Sequence, residues 1–245
     1  MVNFFRLNFR SNQAAAVTVS ETAELPEALE QLGLSNSRPV LVIVGGASQI
    51  SEADFLRIQS LFVKVLAPIA QSLGAYVVDG GTDAGVMRLM GDARSQINGQ
   101  FPLIGVAPTA KVILPNQTIV LADDATPLEP HHTHFVLIPG SQWGDESPWI
   151  VKVATLLANN LPSITVLING GEISFIDALN SVIAGRLVIV IAGSGRTADK
   201  IASALNGDTT DERAKELVAS GHIQTIDLEA PPEELIHTMT NLLLN

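Results

Sequence analysis

Three stretches of the sequence join a short aliphatic run to a glycine turn and then to the start of a helical pattern. They are Tyr76-Val77-Val78-Asp79-Gly80-Gly81-Thr82-Asp83-Ala84-Gly85, Val166-Leu167-Ile168-Asn169-Gly170-Gly171-Glu172-Ile173-Ser174 and Val190-Ile191-Ala192-Gly193-Ser194-Gly195-Arg196. A fourth, Val44-Gly45-Gly46, has the glycines but a longer gap before its helix. Glycine at such a place lets the backbone turn sharply and approach a ligand closely. A helix that starts there points unpaired N–H groups the same way, and such an end binds anions, phosphate above all. The expected phosphate contacts are therefore Gly45, Gly46, Gly80, Gly81, Thr82, Gly85, Gly170, Gly171, Ser174, Gly193, Ser194, Gly195 and Arg196. None of the turns is a G-x-x-x-x-G-K-[ST] loop or a spaced G-x-G-x-x-G, which disfavours an ordinary ATPase or dehydrogenase.

Arg196 carries separate weight. Between residues 123 and 195 the only basic residues are Lys152 and Arg186, and Arg196 then follows Gly-Ser-Gly directly. A cation on the first turn of a helix opposes the helix dipole, so its presence points to an anion nearby, and guanidinium can hold a phosphate in bidentate fashion. Selection of base or ribose would fall to Thr82, Asp83, Asn169 or Glu172. Three of the five histidines lie in Glu129-Pro130-His131-His132-Thr133-His134. On a strand, His132 and His134 would share a face, offering a metal pair, an acid/base pair near neutral pH, or merely local hydrogen bonds leading into a strand. No metal ligand set is assigned. The loop Gly140–Trp149 holds both tryptophans. Either suits stacking on a nucleobase or packing against the core or a neighbouring subunit. Asp145 and Glu146 suit the helix start expected at Ser147, or a cation.

The elements that must position these groups are eight short runs rich in Val, Ile and Leu: 40–44, 75–78, 103–106, 119–121, 135–138, 164–168, 187–191 and a weaker 222–226. They do not alternate polar with apolar, so they read as strands buried on both faces. Helical patterns lie between them. One carries Phe55, Ile58, Phe62, Val65 and Ile69, starts with Ser51 and Asp54 spaced as a capping box, and meets Pro68, which should kink or end it. Others begin near Asp83, at Ser147-Pro148, after Gly171 and after Gly195, and 210–220 and 232–244 complete the set. This alternation predicts an α/β fold, a mainly parallel sheet with helices on both faces. A single domain over 1–245 is the simplest organisation, with 1–36 a peripheral segment containing a possible edge strand at Ala15–Val19, and 206–245 supplying helices and an edge strand.

Composition excludes more than it names. The 245 residues carry 14 Lys+Arg against 25 Asp+Glu, a net charge of -11, with 47% hydrophobic and 16% charged side chains. Such a chain is not disordered. Residues 1–122 hold 8 basic and 9 acidic groups, and 123–245 hold 6 and 16, so the acidity lies in the second half. Duplex DNA and anionic membranes need a basic footprint and are not expected partners. There is no cysteine, so thiol chemistry and zinc–cysteine sites are excluded. The opening residues lack the apolar core of a signal peptide, and a cytoplasmic location is the expectation.

Four motifs taken together resemble a known family. Asp79-Gly80-Gly81-Thr82-Asp83-Ala84-Gly85-Val86-Met87, Ile104-Gly105-Val106-Ala107-Pro108, Leu128-Glu129-Pro130-His131-His132-Thr133-His134-Phe135 and Gly193-Ser194-Gly195-Arg196-Thr197-Ala198-Asp199 occur in the order found in the N-terminal region of melastatin-type TRP (TRPM) channels. Over roughly residues 38 to 205 the chain looks like a prokaryotic member of that group, the LSDAT branch of the SLOG superfamily. The resemblance implies a Rossmann-like fold and binding of a nucleotide or nucleotide derivative, such as the ADP-ribose bound by the related region of some TRPM channels. It also implies, by analogy, a homo-oligomer. The related LOG phosphoribohydrolases carry G-G-x-G-T-x-x-E, and Gly170–Asp177 stands in its place, with Ile173, Ser174 and Asp177 replacing the glycine, threonine and glutamate. Recognition without turnover is therefore the main expectation. N-glycosidic hydrolysis is the alternative, with Glu172, Asp177, His132 or His134 as acid/base candidates. A Mg²⁺ ion accompanying the nucleotide is compatible with the charge, although no spacing demands it.

Overall fold

The computed structural model describes residues 1–10, 12–46, 52–117, 122–208 and 210–244. The chain opens with a hairpin, β1 (Asn3–Asn8) and β2 (Gln13–Thr18), followed by helix α1 (Leu25–Gln31). Strand β3 (Val40–Gly45) then leads to α2 (Glu52–Leu61), a π-helical turn (Phe62–Leu66) and α3 (Ala67–Leu73). Next come β4 (Tyr76–Asp79), α4 (Gly85–Gln96) and β5 (Leu103–Pro108). A small parallel pair, β6 (Val112–Ile113) and β7 (Thr126–Pro127), precedes β8 (His134–Ile138). The rest runs α5 (Ser147–Ala158), β9 (Ser163–Ile168), α6 (Glu172–Ile183), β10 (Leu187–Ala192), α7 (Arg196–Leu205), α8 (Glu212–Ala219), β11 (Ile223–Asp227) and α9 (Pro232–Leu244).

Nine strands form one sheet in the order β1-β2-β8-β5-β4-β3-β9-β10-β11. Every pairing from β2 to β11 is parallel, and only β1 runs antiparallel to its neighbour. The residues that alternate along each strand feed two cores. Val40, Val42, Val44, Val78, Val106 and Val190 pack on one face with α1, α5, α6, α7 and α8. Leu41, Ile43, Val77, Leu103, Val166 and Ile191 pack on the other with α2, the π turn, α3, α4 and α9. Both strand faces are therefore apolar because both are covered, which is why the runs show no polar alternation. This is the α/β, Rossmann-like architecture with helices on both faces.

Seven of the eight aliphatic runs lie in or at the edge of these strands, and the eighth, 119–121, lies outside the described residues. Ser51 of the expected capping box also lies outside them. Two local expectations need correction. The expected strand at Ala15–Val19 falls on β2, which ends at Thr18 and is not an edge strand, since β1 pairs with it on one side and β8 on the other. Pro68 does not end its helical stretch, which runs on through α3 to Leu73. The backbone widens just ahead of it into the π turn, where Ala67 N–H donates to Phe62 C=O. A proline has no N–H to donate to the carbonyl four residues back and its ring crowds that carbonyl, and a π turn absorbs the mismatch without breaking the helix. Among the described residues no helix is long and apolar enough to cross a membrane.

Candidate functional site

The chain leaves β3 in one direction to build β4, β5 and β8, then returns to its other side to build β9, β10 and β11. The strand order reverses at β3, and in an open α/β sheet ligands bind beyond the strand ends at such a point. A cleft of about 520 Å³ lies there. Its floor is Ile43, Val44 and Gly45, and one wall is Gly80, Thr82, Ala84 and Met87 from the β4–α4 turn. The opposite wall is Gly171, Glu172, Ile173, Ser174 and Asp177 of α6, with Arg196 at the start of α7. Asp124, Thr126, Trp143, Glu146 and Ile150 close the remaining side. Gly45 is required by packing: a Cβ there would lie 2.0 Å from the Ile168 carbonyl oxygen.

The structure divides the predicted phosphate contacts. Gly45, Gly80, Thr82, Gly171, Ser174 and Arg196 line the cleft, whereas Gly46, Gly81, Gly85, Gly170, Gly193, Ser194 and Gly195 do not. The third turn has a different task. Ser194 is buried, its Oγ accepts from Asn169 N–H at 2.8 Å and donates to Ile191 C=O at 2.6 Å, and Gly193 N–H donates to Asp199 Oδ1 at 2.7 Å. Asn169 is the lock between the two loops rather than a selector of base or ribose. It is buried in the left-handed region (φ 58°), its Nδ2 donates to Ser194 C=O at 2.7 Å, and its Oδ1 accepts from Gly170 N–H at 2.8 Å. Asp83 likewise lies outside the cleft and pairs with Arg88 at 2.6 Å. The amides of α7 are partly used, since Ala198 N–H donates to Asn169 C=O at 2.9 Å. The helix end facing the cleft is that of α6, whose N-cap is Gly171 and which no side chain caps.

Arg196 holds an unusual backbone, φ 53°, between Gly195 (φ 97°) and the body of α7. The left-handed region costs an L-residue about 1–2 kcal/mol, and such strain tends to gather where a side chain must be aimed. Here the guanidinium is aimed across the cleft at α6: a Cβ on Gly171 would lie 3.1 Å from Arg196 Nη2.

The carboxylates of the cleft are differently disposed. Asp177 is buried and accepts from Ser147 Oγ at 2.6 Å. Burial pushes its carboxyl up to about 7, the Ser147 hydrogen bond opposes that, and the Glu146 charge adds to it. Glu146 is itself raised by burial and accepts from Gly144 N–H at 2.8 Å. It is also the N-cap of α5, displacing the expected Ser147, whose hydroxyl turns to Asp177 instead. Glu172 lines the cleft but is ion-paired with Arg213, which holds its carboxyl below the usual range. Asp124 is gripped by Lys111 Nζ at 2.8 Å and is lowered by it. Trp143 lines the cleft, whereas Trp149 packs against the core. Asp145 Oδ2 accepts from Ser141 and Gln142 N–H at 2.9 and 3.0 Å, a purely local role.

The histidines are not in the cleft. His132 lies before β8 rather than on it, and it is fully buried between two carboxylates. Its Nε2 meets Asp79 Oδ1 at 2.8 Å and its Nδ1 meets Glu129 Oε2 at 2.7 Å. Burial alone would lower its pKa, but the Asp79 and Glu129 charges and hydrogen bonds outweigh that and raise it to about 9. A group held as imidazolium between two anions is a structural cation. Asp79 Oδ1 also accepts from Gly81 N–H at 2.7 Å, so this ion cluster fixes the β4 turn from behind. His134 does not share its environment. Burial lowers it to about 4, and its Nδ1 meets Thr133 Oγ1 at 2.7 Å.

A doubly wound parallel sheet with a crevice at its switch point, an uncapped helix N-terminus and an arginine facing it define an α/β domain of Rossmann-like fold. The comparisons give it a family. A model of the family described as "SLOG in TRPM, prokaryote" matches residues 38–237, and the chain belongs to that family. It is 26% identical over 204 residues to the mouse transient receptor potential cation channel subfamily M member 2, covering 69% of this chain and 13% of the channel. Mouse subfamily M member 1 is 25% identical over 225 residues, covering 77% and 14%. The chain thus matches about one seventh of these curated relatives' length. Among solved structures, that of TM1055 superposes with a TM-score of 0.55 at 18% identity, over 82% of this chain and 98% of the other. That likeness is one of fold.

Proposed function

We propose that the cleft binds a nucleotide or nucleotide derivative, of the ADP-ribose type, and that recognition rather than turnover is its function. The observation that carries this reading is the convergence of Arg196 and the uncapped N-terminus of α6 on one cleft that also offers apolar surface. A phosphate accepts from helix-end amides and from guanidinium together. Ile43, Met87, Trp143, Ile150 and Ile173 offer the apolar and aromatic surface a base requires. Membership of a family named for the TRPM channels supports a signal-binding role. A Mg²⁺ ion accompanying the nucleotide, which Glu146 or Asp124 would hold and which would offset phosphate charge, belongs to the same proposal, and so does self-association, which rests on family likeness alone.

One observation favours a second reading. Asp177, buried in the cleft with its carboxyl near 7, is suited to protonate a leaving group at neutral pH, so N-glycosidic cleavage is the alternative. The test is one panel: ADP-ribose, NAD, AMP, ATP and cyclic nucleotides, with and without Mg²⁺, followed by thermal shift and then mass spectrometry of the nucleotides. A stability shift with intact nucleotide supports recognition. Free base and ribose phosphate support the alternative. If no member shifts stability or is consumed, the nucleotide reading fails.

A further inference from the structure

Outside the cleft, one cluster combines nitrogen and oxygen donors. Asp92 on α4 and Glu129 and His131 in the loop before β8 each offer a ligand atom, and the three atoms lie within 4.8 Å of one another. We propose that Asp92, Glu129 and His131 form a binding site for a divalent first-row transition ion of the Zn²⁺ class. None of the three lines the cleft, so the site is independent of the nucleotide reading.

Geometry carries the assignment. His131 Nδ1 stands 2.7 Å from Glu129 Oε1 and 3.7 Å from Asp92 Oδ1. Bonds of about 2.0–2.2 Å to a tetrahedral ion need donors about 3.3 Å apart, which lies between those two separations. An ion would replace the proton between His131 and Glu129 and draw Asp92 inward.

The donor set is also held in place. Glu129 is fully buried, and its other oxygen, Oε2, meets His132 Nδ1 at 2.7 Å and accepts from His131 N–H at 2.9 Å. A ligating carboxylate oriented by outer hydrogen bonds is the usual support of a metal site. The backbone of α4 closes on the same carboxylate: a Cβ on Gly91 would lie 2.1–2.5 Å from its atoms. Asp92 and His131 are part-exposed, with side-chain exposures of 47% and 27%, so solvent reaches the remaining coordination positions. Two carboxylates brought together repel, and a divalent ion reverses that cost. Of the neighbouring cations, His132 meets the other oxygen of Glu129, Oε2, Arg88 is paired with Asp83, and Arg94 donates to the Phe101 carbonyl at 2.8 Å and the His131 carbonyl at 3.5 Å. An imidazole beside two carboxylates suits Zn²⁺, Co²⁺ or Mn²⁺ better than Mg²⁺ or Ca²⁺, which prefer oxygen alone.

The test uses the full chain stripped with chelator, titrated calorimetrically with ZnCl₂ and, separately, with CoCl₂ while visible absorption is followed. The expected result is one ion per chain, Co²⁺ bands of low symmetry, and no displacement by Mg²⁺. Asp92→Asn and His131→Ala change part-exposed side chains, and each should weaken Zn²⁺ binding at least tenfold. Replacing the exposed His222 and His237 by Ala should leave it unchanged. The proposal is overturned by absence of stoichiometric binding in the wild type, by retention of binding in both site variants, or by its loss in the His222 and His237 variant.

Discussion

Asp177 lends itself to a decisive measurement because its environment and its ionisation are tied together. The carboxyl is held at about 7 in the folded chain against an ordinary value of 3.8, chiefly by burial. A raised carboxyl means that the folded state binds the proton more tightly than the unfolded one. Its contribution to stability is therefore fully present below about pH 4 and is lost as pH rises through about 7. The full excursion is roughly 4 kcal/mol, from about three pKa units at 1.4 kcal/mol each. Between pH 5 and pH 8 the change should be roughly 2.5 kcal/mol. Asp177→Asn keeps an oxygen for the Ser147 hydroxyl and cannot ionise, so it should remove this dependence. Urea unfolding followed by tryptophan fluorescence, run for both proteins across that range, gives the difference directly. Glu146 is raised in the same direction but is present in both, so most of its effect cancels. Wild type should lose ground to Asp177→Asn steadily as pH rises. A difference that stays flat from pH 5 to 8, or a carbon-13 titration placing Asp177 near 4, would refute the reasoning.

Two further outcomes test the geometry. Arg196→Ala and Arg196→Gly should both abolish a nucleotide-induced thermal shift, and the glycine variant should be the more stable by about 1 kcal/mol because it relieves the left-handed backbone at φ 53°; equal stabilities in urea unfolding would show that the turn is not strained. Gly91→Ala would ordinarily strengthen a helix interior by about 1 kcal/mol, but its Cβ would fall 2.1–2.5 Å from the buried Glu129 carboxylate, so a loss of at least about 2 kcal/mol is expected from overpacking, and a stabilised variant would sink the packing account.

How much of this was legible in the sequence follows from how far apart the interacting residues lie. The strands were legible because Val, Ile and Leu crowd into short runs ended by glycine, and burial on both faces leaves no alternation to obscure them. Arg196 was legible because a cation at a helix start is locally unfavourable. The turn just before it was not. Gly193-Ser194-Gly195 looks like a phosphate cradle, but Ser194 is committed to Asn169, 25 residues earlier. The histidine cluster suggested a strand pair, whereas His132 answers to Asp79, 53 residues away. Ser147 has the spacing of a helix cap, but its hydroxyl is taken by Asp177, 30 residues on. Gly91 gives no signal at all in a helical stretch, since only the folded chain brings Glu129 against it. In each case the local chemistry was possible, and a longer-range partner of better geometry won.

An acidic chain proposed to bind an anion presents an electrostatic conflict, and the cleft resolves it group by group. The described lining residues include four carboxylates, Asp124, Glu146, Glu172 and Asp177, and one cation, Arg196. Taken at formal charge they would repel a phosphate. Lys111 holds Asp124 and Arg213 holds Glu172, so those two negative charges are offset by partners outside the lining. Asp177 is largely protonated below about 7, and burial raises Glu146 as well. Arg196 and the dipole end of α6 both face the cleft, in a crevice whose apolar walls weaken screening. The same accounting explains why the acidity of the second half is compatible with the proposed phosphate-bearing ligand: Asp124 and Glu172 are paired, Asp177 and Glu146 are raised by burial, and the Arg196 guanidinium faces α6.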